Sequence, residues 1–342
     1  MAQIISFANY VAANTNNNNI VIPNVTAQAE VLDSTPKAHI NPFENRRVPW
    51  NGIGNDIRSA SCVEEAIAMS GLNWELGLGK VYDEAGHVIP HFNAITRADT
   101  GKVFGITRDK YKPVQNADAF GFADILLTQG ATFEKGGCYK GGEKIWFLMK
   151  LPSRSYGGDQ HDLYMFLMNG NNGKQSLFAA FTTIRAMCCN MAHLVSKNAT
   201  YKVSIQHRGN IEGKMLEAQE VMAGATAYFD GLAHTMEELR NINLTRAEMG
   251  KIIEGLFPYK EDATEREKRT QTEKRNQLIN ILYNAPDLQN ENMNGLRLVH
   301  ALTDYESHAE PARHPEGFEE NRLIKLVEKP MLSDKVVEML TA

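Results

Sequence analysis

The chain has 342 residues, 43% hydrophobic and 23% charged, an ordinary globular composition with apolar side chains enough for one large core or two smaller ones. Its 36 Lys and Arg against 41 Asp and Glu give a formal net charge of −5, which excludes a polyanion-binding surface spread over the whole molecule. Charge is nevertheless segregated: residues 97–154 carry ten Lys/Arg against six Asp/Glu and residues 183–216 five against one, while residues 230–342 carry fifteen against twenty-one.

The N-terminal "MAQIISFANYVAANTNNNNIVIP" has no cationic start before its weakly apolar run, so it makes a poor signal peptide, and no uncharged apolar stretch of about 18 residues is present to span a bilayer. Four cysteines, Cys62, Cys138, Cys188 and Cys189, do not resemble a secreted disulfide framework, and no CxxC or spaced His pair completes a zinc site. The expectation is a soluble protein of a reducing cytoplasm, without a membrane partner.

Residues 1–57, with an Asn tract and few periodic apolar positions, are expected to form a partly irregular arm that supplies little core. "SCVE" at Ser61 to Glu64 has the pattern of a capping box, and Val63, Ala66, Ile67, Ser70 and Trp74 follow helical spacing, so a helix is predicted to run to about Gly77–Gly79. Short strands are predicted near Lys80–Tyr82, His91–Thr96 and Val103–Thr107, and a helix start after Pro113. "KIWFLMKLP" (144–152), "DLYMFLM" (162–168) and "QSLFAAF" (175–181), the last two joined by the turn signal "NGNNG", predict an antiparallel meander. "TTIRAMCCNMAHLVSKN" (182–198) then predicts a helix with Ile184, Met187, Cys188, Met191, Leu194 and Val195 inward and a ridge of Arg185, Cys189, His193 and Lys197 outward.

From Gly213 the pattern is helical. Met222, Thr226, Phe229, Ala233 and Met236 form one stripe, "TRAE" at Thr245 to Glu248 is a capping box, and further helices are predicted at 294–306 and 322–341. The charge-dense 260–277 is expected to be a solvated helix face or linker. The fold class is therefore α+β: an arm at 1–57, an α+β core with a β-meander at 58–212, and a helical domain at 213–342.

Catalytic signatures are absent: there is no GxSxG, Walker loop, HExxH or GxGxxG after a strand. Asp159, His161 and Asp162 in "GGDQHD" could gather a metal in a nucleic-acid or nucleotide enzyme, but they lie where a polar turn is expected anyway. No cofactor is called for. Binding residues are more evident. Arg108, Lys110 and Lys112 surround Tyr111, and Lys140, Lys144 and Arg154 follow on or beside the strands. Arg185 and Lys197 sit on the helix ridge, and Lys202 and Arg208 lie in "YKVSIQHR". Cations would neutralise phosphates while Tyr111 offers a stacking face, the chemistry of sequence-independent single-strand binding. The same cations could equally decorate solvated sheet edges and helix faces.

"VFGITRDKYKPVQNADAFGFAD" (103–124) resembles the hallmark of the phage and plasmid-like proteins of domain-of-unknown-function family 932. The resemblance extends through "CVEEAIAMSGLNWEL", "GGCYKGGEKIWFLMKLP" and "LYMFLMNGNNGKQSLFAAFTTIRAMCCNMAHLV". It continues to "GLRLVHALTDYESHA", where Leu296 and Leu298 replace a motif that is often Trp-rich, and covers about residues 50–310. A meander feeding a helix is also similar to the core of the RecT, Redβ, Erf and Rad-type single-strand annealing superfamily. These resemblances imply binding and annealing of single-stranded DNA for a phage or plasmid in a bacterial cytoplasm, without nucleotide hydrolysis. They also imply a homo-oligomeric ring or filament, with the acidic helices assembling the protein or recruiting a phage or host replication partner. A third possibility is an interaction protein that redirects a host factor.

Overall fold

Alternating side chains on long apolar strands can bury both faces of a sheet only if each face is covered, and the covering layers set this architecture. A computed structural model describes residues 43, 47–156, 159–185, 191–192, 201–205, 211–309 and 315–342. In chain order the elements are β1 (Asn55–Asp56), α1 (Val63–Met69), β2 (Leu76–Tyr82), β3 (Val88–Arg97), β4 (Val103–Arg108), α2 (Asn116–Phe120) and α3 (Ala123–Thr128). Then follow β5 (Thr132–Tyr139), β6 (Lys144–Tyr156), β7 (Asp159–Gly170), β8 (Phe178–Arg185), β9 (Met191–Ala192) and β10 (Lys202–Ser204). The remainder is helical: α4 (Ile211–Asn241), α5 (Arg246–Leu256), α6 (Glu265–Asn284), α7 (Gly295–His308), α8 (Phe318–Glu328) and α9 (Leu332–Leu340).

The large antiparallel sheet has the order β1-β5-β6-β7-β8-β10, with β9 also on β8, and the small sheet has the order β2-β3-β4. The predicted α+β class and meander are present. On β6 to β8, Ile145, Phe147, Met149, Leu163, Met165, Leu167, Ala179 and Phe181 face a cluster shared with the helices α1 to α7 and α9. The intervening Trp146, Leu148, Tyr164, Phe166, Met168, Phe178 and Ala180 face a second cluster closed by Leu323, Ile324, Leu326 and Val327 of α8 with Trp50 and Ile53. The first cluster draws on both sides of residue 212, so the change there is one of secondary structure rather than a gap in the core.

Residues 47–57 contribute more than the sequence suggested. Trp50, Ile53 and Ile57 are buried, and the Trp50 ring meets Tyr164 edge-on at 4.8 Å. Gly54 lets the segment lie against β5 and β6: at φ +65, a Cβ there would sit 2.5 Å from the Trp146 ring and 2.8 Å from the Gly136 carbonyl. Gly54→Ala is expected to cost about 1–3 kcal/mol, read as a lowered melting temperature; an unchanged melt would show that this segment is not packed.

Several sequence expectations are corrected. The first helix stops at Met69, followed by Gly71 at φ 68, and Ser61 is bonded to Glu65 rather than Glu64, by its N–H at 2.7 Å and its hydroxyl at 2.8 Å. The helix predicted at 182–198 begins instead as strand: Thr182, Thr183 and Ile184 are β-branched and continue the ladder opposite Tyr164, Leu163 and Asp162. Residues 186–190 and 193–200, with Cys188, Cys189, His193 and Lys197, lie outside the described residues. The buried stripe of α4 is Ala218, Val221, Ala225, Tyr228, Leu232 and Leu239, joined by Phe229 and Met236, whereas Thr226 and Ala233 are exposed. The capping box at Thr245 and Glu248 is formed, 260–277 lies largely in the exposed α6, and Leu296 and Leu298 are fully buried in α7.

Candidate nucleic-acid interface

The small sheet rests on the body through one face only. Ile95 is buried, Phe104 packs on Trp74 with centroids 5.9 Å apart, and Gly105 lies so close to the β7–β8 turn that a Cβ would be 2.5 Å from the Asn172 carbonyl oxygen. The β3–β4 turn is tied to the β5–β6 turn: Lys102 donates to the Lys140 carbonyl at 2.6 Å and Arg97 to the Gly141 carbonyl at 3.3 Å. Arg97 also lies over Trp74 and pairs with Asp99 at 2.7 Å, a hydrogen bond that holds the Asp99 carboxyl below the usual carboxylate range.

The opposite face is open. Cross-strand partners share a face, and the register pairs Phe92 with Arg108, Ala94 with Ile106 and Thr96 with Val103, while Gly79 and Gly77 of β2 stand opposite Ala94 and Thr96. Phe92, Val103 and Ile106 are 40, 57 and 60% exposed. An uncovered apolar patch edged by cations is the usual mark of an interaction site.

Arg108, Lys110 and Lys112 are exposed and make no ion pair among the described residues. The intervening Asp109 is engaged elsewhere: His91 Nδ1 lies 2.9 Å from its carboxylate and holds that carboxyl below its ordinary range. Tyr111 does not share the exposure of its neighbours. It packs against the core, burial pushes its phenol up, and its N–H donates to the Arg108 carbonyl at 3.0 Å. At the other end of β4, Lys140 is exposed beside the Tyr139 ring, and Lys102 lies at the adjoining turn.

The other expected cations are elsewhere. Lys144 pairs with Glu328 of α8 at 2.5 Å with only 15% of its side chain exposed, and Gln175 donates to the same carboxylate. Lys202 lies half-buried over the Phe178 ring at 3.7 Å; burial lowers its pKa, partly offset by Glu328. Arg154 pairs with Asp230 at 3.0 Å. Arg185 pairs through its backbone with His161 of β7 and is on a strand rather than a helix ridge, and Lys197 and Arg208 lie outside the described residues. The structure thus brings together Arg108, Lys110 and Lys112, gathers Lys144 and Lys202 around Glu328, and adds Phe92, Ile106 and Lys102, which the sequence had not singled out.

The imagined metal cluster is not assembled among the described residues. Strand alternation turns His161 and Asp162 to opposite faces. Although burial works against it, hydrogen bonds from Ser153 at 2.6 Å and Lys150 keep the Asp162 carboxyl below its usual range. Among the described residues no helix is long and apolar enough to cross a membrane.

These features define a two-sheet α+β protein whose smaller sheet presents an uncovered face between clusters of cations. The family model for Domain of unknown function (DUF932) matches residues 103–327, and the chain belongs to that family. The matched span starts at "VFGITR" and leaves "CVEEAIAMSGLNWEL" outside. No curated protein and no solved structure matches.

Proposed function

We propose that the protein binds single-stranded DNA on the small sheet and anneals complementary strands during recombination or replication of a phage or plasmid, in the bacterial cytoplasm and without nucleotide hydrolysis. The observation that carries this is the uncovered face of β3 and β4, bracketed at one end of β4 by Arg108, Lys110 and Lys112, which make no ion pair among the described residues, and by Lys102 and Lys140 at the other. Six residues of strand separate these ends by roughly 17 Å, a short track along which a phosphodiester chain can meet cations at both ends. A track this short is weak for one protomer, which favours assembly of several along one strand. The acidic C-terminal helices are the proposed means of self-association or of recruiting a replication protein.

The test is fluorescence anisotropy of labelled oligo-dT against the full chain as salt is raised. Phosphate contacts at all five of these cations predict a log–log slope of about −3.5 for a single strand. Absence of binding at low salt would reject the reading and direct the search to protein partners of the exposed sheet.

A further inference from the structure

Single strands differ from duplex in offering unpaired bases, and the small sheet differs from an ordinary solvated basic surface in offering an uncovered aromatic ring next to a cation. We infer that the occupant of this face is recognised by its unpaired bases, with Phe92 as the stacking residue and Arg108 beside it holding the phosphate chain. The inference rests on the nucleic-acid reading above.

Four observations carry it. Phe92 and Arg108 are direct cross-strand partners, so their side chains leave the sheet on the same face. Phe92 is 40% exposed and sits mid-strand on the face opposite the buried Ile95. Several positions on that face are small: Gly77, Gly79 and Thr96, with Ala94 buried between them and its cross-strand partner Ile106, form a low floor. A flat base can lie on such a floor against Phe92 without displacing a side chain. Finally, the charge complementarity is with a polyanion: Arg108, Lys110 and Lys112 make no ion pair among the described residues, and Asp109 among them is held by His91. Tyr111, the aromatic that the sequence set among these cations, is half-buried against the core and presents no comparable face.

Base stacking on a ring accepts any base and contributes a term that salt does not screen, whereas phosphate contacts supply the salt-dependent part. The two are therefore separable in one titration. The full chain and its Phe92→Ala, Phe92→Trp and Gly79→Val variants are titrated against labelled oligo-dT, oligo-dA and a blunt duplex across a salt series, with a thermal melt and sedimentation for each. Phe92→Ala is expected to lose about tenfold or more in single-strand affinity with the salt slope and melt unchanged. Phe92→Trp should restore binding, and its exposed indole should be quenched by the oligonucleotide, since Trp50, Trp74 and Trp146 are all buried. Gly79→Val should fold, because a Cβ there meets only Thr96 Cγ2 at 3.8 Å, yet it should weaken binding by raising the floor.

Equal affinity of Phe92→Ala and the parent would overturn the stacking assignment while leaving the nucleic-acid reading standing. Equal affinity for duplex and single strands would overturn it too. A parent chain that binds no oligonucleotide at low salt would reject the reading itself. Loss of self-association in Phe92→Ala, with oligonucleotide binding intact, would assign the face to a second copy of the chain instead.

Discussion

Replacing Lys110 and Lys112 together by glutamate is expected to weaken oligo-dT binding by on the order of 100-fold, with the thermal melt left in place. Both ammonium groups are exposed and neither is committed to an ion pair among the described residues, so their removal strands no partner inside the protein. Two of five phosphate contacts are lost and two repulsive charges are added, so the salt slope should become shallower, from about −3.5 to about −2. Arg108 and the exposed face of Phe92 remain, and the residual affinity should be the less salt-sensitive part. Anisotropy titrations of parent and double variant at three salt concentrations check this. A folded variant with unchanged affinity would remove these lysines from the interface. Lys144 would be a poor substitute in this experiment, because it is already paired with Glu328 at the end of α8.

The second large effect concerns the scaffold. Arg297→Leu is expected to cost about 3–5 kcal/mol of stability. Arg297 is buried in α7, where Nε donates to the Leu282 carbonyl at 3.0 Å and Nη1 to the carbonyls of Leu288 and Glu291 at 2.7 and 2.6 Å. The guanidinium therefore closes the C-terminal end of α6 and the loop that follows it, satisfying oxygens that a helix end leaves without partners. Leucine would fill part of the volume and leave three acceptors in an apolar setting. Arg297→Lys should recover only part of the loss, since a single ammonium does not reproduce the planar fork. Urea melts of both variants test this, and a parent-like midpoint for Arg297→Leu would mean that water takes over the three carbonyls.

The meander was legible because β6 and β7 are long apolar runs with strong turn chemistry after them, and the box at Thr245 was legible because its two residues act within one turn. β5 was not. "TFEKGGCY" looks like a turn, yet Gly136 is a strand residue there because the Ser70 hydroxyl and the Phe147 ring occupy the space a side chain would need. The end of β8 was misread because Ile184 suits both periods, and the pairing of Thr182 and Thr183 with β7 depends on a partner distant in sequence. Residues 47–57 were undervalued for the same reason: Trp50 and Ile53 cluster with strands about a hundred residues away and with α8, farther still along the chain. At the candidate interface the cations at 108–112 were visible as local charge. Phe92 was not, because an aromatic in a strand is ordinarily taken to point inward, and only the packing of the opposite face shows otherwise.

The two-sided burial of β6 and β7 also has a cost in time. Trp146, Leu148, Phe166 and Met168 are covered by Leu323 to Val327, which follow them by roughly 150 residues. At a synthesis rate of about 5–20 residues per second, that face waits on the order of 8–30 seconds for its cover. During that interval the nascent chain carries an apolar, aromatic sheet surface with no lid. A chain truncated before α8 would carry it permanently, so even a short C-terminal deletion far from the small sheet should turn this protein into a client of chaperones.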